Sequence, residues 1–113
     1  MKLFYYKDIK AKKVDDPKAE RVNIRILISE KDGAKNFIMR LFEIEPGGYT
    51  PLHKHPWEHE VFINEGRGIL VFEEKEVSFN KGDVIFILPN ELHQFKNTGE
   101  KLLEILCMIP VKK

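Results

Sequence analysis

Three of the chain's four histidines fall within seven residues, His53-Lys54-His55-Pro56-Trp57-Glu58-His59. Neutral imidazole is the commonest side-chain ligand for Zn, Fe, Ni and Cu, whereas Mg and Ca favour oxygen donors. In an extended segment residues two apart face the same side, so His53 and His55 form a clamp while Lys54 faces away. Pro56 cannot continue a central ladder and should turn the chain, which lets His59 on the returning strand face the same point. A lone histidine would suggest a polar surface loop; this cluster predicts a transition-metal site.

Such a clamp needs strands to hold it. Val22-Asn23-Ile24-Arg25-Ile26 alternates apolar and polar residues with the period of a half-buried strand. Further runs rich in β-branched and aromatic residues lie at 37–44, 60–63, 69–72, 84–88, 93–95 and 102–109. Turn-forming groups separate them, among them Lys31-Asp32-Gly33, Asn64-Glu65-Gly66, Asn80-Lys81-Gly82-Asp83 and Asn97-Thr98-Gly99. Many short strands at this spacing predict an all-β sandwich or barrel. The one candidate helical turn is near Asp15-Asp16-Pro17-Lys18-Ala19-Glu20, with Pro at the first helical position. No repeat or linker interrupts the chain, so one domain is expected, with a metal-binding core over about 36–110 and an N-terminal arm over 1–21.

The segment Gly47-Gly48-Tyr49-Thr50-Pro51-Leu52-His53-Lys54-His55-Pro56-Trp57-Glu58-His59-Glu60-Val61-Phe62-Ile63-Asn64-Glu65-Gly66 resembles the first motif of the cupin superfamily, which runs from a glycine through His-x-His to a third ligand and another glycine. Gly82-Asp83, Pro89, His93 and Asn97 resemble the second motif. Glu91 stands where the family has glycine, and six residues instead of five separate Gly82 from Pro89, departures that alter a turn more than a ligand. The resemblance implies a double-stranded β-helix, or jelly-roll, barrel with a divalent metal on His53, His55, His59 and His93. Most cupins use glutamate as third ligand, and the family spacing tolerates His59 or Glu60, which face opposite ways on a strand. His59 fits the spacing to Gly66 and shares a face with Val61 and Ile63, which leaves Glu60 outside. The set is similar to small thermophile cupins with four-histidine manganese sites. Mn or Fe is favoured, with Zn, Ni or Cu as the other candidates.

Other residues follow from alternation. If His93 points inward, so does Phe95, which would wall the pocket. Leu103, Ile105, Cys107 and Ile109 should face the interior, with Glu104 outward; Cys107 is then either a small core residue or a thiol beside the metal. Arg40 shares a face with Ile38, Phe42 and Ile44, where its guanidinium binds a substrate carboxylate if that face is interior, or forms an outward ion pair if not. Trp57 is a rim residue or a contact with a neighbouring subunit.

Composition narrows the function. The 113 residues carry 19 basic and 18 acidic side chains, a net charge of +1, which gives no field to attract nucleic acid or anionic lipid. No run approaches the roughly 20 apolar residues of a membrane span, and the start MKLFYYKDIK lacks a long apolar segment, so a cytoplasmic location is expected. The Lys and Glu excess resembles that of hyperthermophile proteins. Strands apolar on both faces and the apolar Leu3-Phe4-Tyr5-Tyr6 segment predict a homodimer through the outer sheet face. Many single-domain cupins oxidise small organic acids or phenols, so the resemblance favours a dioxygenase acting on an enolisable or phenolic substrate. The alternatives are a Lewis-acid isomerase or decarboxylase and a non-catalytic binding module for a small-molecule ligand.

Overall fold

A computed structural model of the chain describes residues 1–112. Its strands are β1 (Lys12–Lys13), β2 (Glu20–Ile28), β3 (Phe37–Tyr49), β4 (His59–Glu65), β5 (Arg67–Phe72), β6 (Lys75–Asn80), β7 (Val84–Ile87), β8 (His93–Asn97) and β9 (Leu103–Pro110). All pair antiparallel in one curled sheet, in the order β6-β5-β8-β3-β9-β4-β7, with β2 on β3 and β1 on β2. The long strand β3 makes the curl: Phe37 to Ile44 pair with β9, whereas Tyr49 pairs with Lys96 of β8. This is the all-β architecture that the strand spacing predicts, in the jelly-roll form that the cupin resemblance implies.

Alternation sorts each strand into two faces. Ile44, Val61, Ile63, Leu103, Ile105, Cys107 and Ile109 point inward and meet Val22, Leu70, Phe79, Ile87 and Phe95 in one core. Ile44, Ile63 and Leu103 lose all contact with solvent, and burial of such side chains contributes about 1.5–3 kcal/mol each.

The second motif's asparagine has a structural task. Asn97 is buried; its Nδ2 donates to the carbonyls of Ile44 (2.7 Å) and Lys101 (2.9 Å), and its Oδ1 accepts from the Gly99 amide (2.9 Å). Asn97→Ala leaves these groups without partners, and an unsatisfied buried polar group costs about 1–3 kcal/mol. A loss of about 3 kcal/mol in the unfolding free energy is expected in urea titration.

Three features differ from expectation. The segment around Asp15 to Glu20 forms a turn at Pro17-Lys18 and not a helix, because the Asp16 carboxylate accepts from the Lys18 amide and its carbonyl from the Ala19 amide. Strand β6 exists although its sequence, Lys75-Glu76-Val77-Ser78-Phe79-Asn80, is mostly charged or polar; it follows a two-residue turn in which Glu73 and Glu74 both have positive φ. Glu104 faces outward as expected but is buried, accepting from Asn64 Nδ2 (2.7 Å) and the Tyr6 hydroxyl (3.3 Å). Opposite it on β3, the buried Glu43 meets Arg25 at 3.4 Å, and Arg25 donates to the Ile9 carbonyl. The N-terminal segment is thereby held on its own sheet.

Candidate metal centre

Strand pairing brings the four histidines together. His53 and His93 exchange backbone hydrogen bonds of 3.1 and 2.9 Å as an isolated bridge. Thr50 ties the same loop to β8: its amide donates to the Phe95 carbonyl (3.0 Å), and its hydroxyl accepts from the Phe95 amide (2.9 Å). Thr50 is a buried positioning residue that sequence reasoning missed, since a threonine beside a proline carries no distinctive signal. His55 is held from above by Trp57, stacked at 4.6 Å and 8° between planes, with Lys112 Nζ 4.4 Å from the tryptophan ring. Trp57 is thus a support for one candidate ligand on its own chain.

His59 opens β4 and lies 4% exposed, while Glu60 beside it is exposed on the outer face, paired with Phe86 and Met108. The turn before β8 places Asn90 in the left-handed region, at φ +67, next to Glu91. The Glu91 carbonyl then accepts from His93 Nδ1 at 2.9 Å, which leaves Nε2 as the free lone pair.

Ring centres lie 4.4 Å apart for His53 and His55, 5.0 Å for His53 and His93, 5.0 Å for His59 and His93, 5.3 Å for His55 and His59, and 6.2 Å for His55 and His93. Imidazoles sharing one ion at a bond length of about 2.1 Å place their centres about 4.5 Å apart when adjacent and about 6.4 Å when opposite. Among the described residues no three His, Cys, Asp or Glu side chains are already arranged to hold a metal. These five separations lie in the range spanned by imidazoles in one metal's shell. His59 Nδ1 is buried without a hydrogen-bond partner, which such a shell or a rotated ring would resolve. The donor set therefore fits a divalent transition metal.

Burial depresses every imidazole. His53 titrates at about 4, through desolvation and then the neighbouring His55 and His93; His59 titrates at about 3, through desolvation, His93 and Arg40. His55 is lowered by desolvation and His93, and His93 by desolvation despite its bond to Glu91. All four are neutral near pH 7, the form that ligates metal. The folded values lie below the ordinary 6.5, so the unfolded chain binds more protons between 6.5 and about 3. The metal-free protein should hold its full stability above pH 6.5 and lose it progressively as pH falls toward 4, as measured by urea titration at several pH values.

The imidazoles border a cavity of about 440 Å³, whose wall includes Arg40, Phe42, Phe95, Ile105 and Cys107 and whose remaining lining comes from β2, residues 12–16, Thr50 and Pro51. Arg40, Phe95 and Cys107, the three pocket candidates, are thus brought together, and Arg40 faces inward. Its terminal nitrogen donates to Cys107 Sγ at 3.1 Å. Desolvation raises the Cys107 thiol above its usual range, with Arg40 opposing, so the buried thiol stays protonated near neutral pH. The contribution of Lys12 to Asp16 was not legible, because a two-residue strand of lysines carries no strand signal.

Known proteins share this frame. An oxalate-binding protein from Thermotoga maritima is 39% identical over 74 residues, covering 62% of this chain and 61% of its own length. The crystal structure of a predicted oxalate decarboxylase from Thermotoga maritima superposes with a TM-score of 0.86 at 28% identity, covering 98% of this chain and all of that one. The polyketide cyclase RemF from Streptomyces resistomycificus superposes with a TM-score of 0.93 at 35% identity, over 99% of this chain and 80% of that one. The chain spans about half the length of the curated relatives it matches. No helix of the described residues is long and apolar enough to cross a membrane. The model of the cupin domain matches residues 40–109, from Arg40 on β3 to Ile109 on β9, and the chain belongs to the cupin family.

Proposed function

We propose that the chain holds one divalent transition metal, Mn or Fe by preference, on His53, His55, His59 and His93, and acts on a small enolisable organic acid or phenol in the adjoining cavity. The observation that carries this reading is the convergence of four neutral imidazoles, those of His59 and His93 buried and those of His53 and His55 half-buried, on one side of a 440 Å³ cavity. An ion held by these four histidines would supply Lewis-acid polarisation of a substrate carbonyl, at the full 2+ charge because the imidazoles are neutral. The chain's own residues orient the site: Glu91 fixes the His93 tautomer, Trp57 steadies His55, and Phe42, Phe95 and Ile105 exclude water from the bound ligand. Non-redox chemistry is favoured by the similarity to a polyketide cyclase over nearly the whole chain. Dioxygenase activity is the second reading, supported by the all-imidazole donor set, which suits Fe and Mn as well as Zn.

Two assays separate them. Incubating Mn-, Fe- and Zn-loaded protein with 1,3-diketones and 2-oxo acids in D₂O should accelerate exchange of the α-protons, seen by NMR, with any of the three metals. Dioxygen uptake confined to the Mn or Fe forms would establish the dioxygenase instead. Neither signal, with saturable ligand binding, would make the barrel a binding module.

A second copy of the chain is the proposed cover for the outer face of β4 and β7, where Phe62, Val84 and Phe86 are exposed by 41%, 77% and 54%. Sedimentation equilibrium should return twice the 13.3 kDa chain mass.

A further inference from the structure

Arg40 is held inside the cavity with little to satisfy it. Among the described residues its only hydrogen-bond acceptor is the Cys107 sulfur, a weak one, and its Nε is buried without a partner. No carboxylate among the described residues lies within ion-pair distance of it. Lys12, Lys13, Asp15 and Asp16 also border the cavity, two cations and two anions that cancel. Arg40 is therefore the uncompensated charge in a space otherwise walled by neutral histidines and by Val22, Ile24, Phe42, Phe95 and Ile105. A guanidinium partly withdrawn from water and left without a strong acceptor gains most when a carboxylate or similar planar anion meets its fork.

We infer that Arg40 is the anion-seating, specificity-determining residue of this cavity, and that its ligand is an organic anion with an apolar body. The ligand carries its chelating oxygens separately from the anionic group that Arg40 takes. A space of about 440 Å³ falls within the roughly 300–1,000 Å³ of sites that enclose whole organic ligands, and oxalate would leave most of it unfilled. Arg40 Cζ lies over the Phe42 ring, 5.0 Å from its centroid, a cation–π contact that helps hold the guanidinium in the cavity. The chelating half of the inference rests on the metal reading above; the Arg40 half does not.

The test is calorimetric titration of the full chain, both metal-loaded and chelator-treated, with benzoate, phenylacetate and 3-phenylpropionate against their neutral carboxamides. At least one acid should bind ten-fold or more tightly than its amide in both forms. Arg40→Gln should abolish that ratio, and Arg40→Lys should restore part of it. Equal affinity of every acid and amide for the wild-type protein would overturn the inference without reference to any variant. A preference confined to the metal-loaded form and unchanged in Arg40→Gln would place the anion on the metal alone, overturning the inference while leaving the metal reading intact. An Arg40-dependent preference in protein that takes up no metal would support the Arg40 seat and refute the metal reading.

Discussion

His59→Ala protein should bind Mn²⁺ or Zn²⁺ more than roughly 100-fold more weakly than wild type, because even changes in the groups that merely support a ligand cost 10–100-fold. Glu60→Gln should leave the affinity within a factor of two or so. The contrast is sharp because the residues are adjacent. His59 sits inside, its ring 5.0 Å from that of His93 and 5.3 Å from that of His55, whereas Glu60 is exposed between Phe86 and Met108 on the far side of the sheet. Competition against a fluorescent chelator measures both. Loss of metal in Glu60→Gln, with His59→Ala unaffected, would reverse the assignment.

Gly68→Ala should unfold the barrel or cost more than about 3 kcal/mol, at the upper end of overpacking. Gly68 is paired between Phe79 of β6 and Asn97 of β8, and a methyl group there would lie 2.1 Å from the Lys96 carbonyl oxygen and 2.8 Å from the Phe79 ring. Neither neighbour is a flexible side-chain end that can swing away; one is the backbone of the strand that carries His93. Gly82→Ala is the contrasting variant, since its φ of +89 is strained for alanine but nothing lies within 4 Å, and its cost should stay near 1 kcal/mol. Soluble yield and the urea midpoint of both variants check the pair.

The strand periods made much of this readable in advance. Alternation alone puts Val61 and Ile63 on one face with His59, and Leu103, Ile105, Cys107 and Ile109 on another, and both faces are interior. The same logic left Arg40 open between cavity and solvent, since β3 carries apolar residues on both sides; only the curl of the sheet decides for the cavity. The outward placement of Glu104 was legible but its burial was not, because the groups that cover it, Tyr6 and Asn64, lie 98 and 40 residues away in sequence. Strand β6 was missed because its turn uses Glu73 and Glu74 in left-handed conformations, where sequence reasoning looks for glycine or asparagine. Thr50 and the Lys12 to Asp16 segment belong to the site through backbone pairing, which no side-chain pattern advertises.

The most direct test of the metal centre is elemental analysis of wild-type protein purified without chelator or affinity metal. About one equivalent of Mn, Fe, Zn, Ni or Cu per chain is predicted, lost on treatment with a strong chelator and regained on dialysis against Mn²⁺. Protein that carries no transition metal as purified and takes up none from Mn²⁺, Fe²⁺ or Zn²⁺ at neutral pH, where all four imidazoles are deprotonated, would contradict the account at its centre.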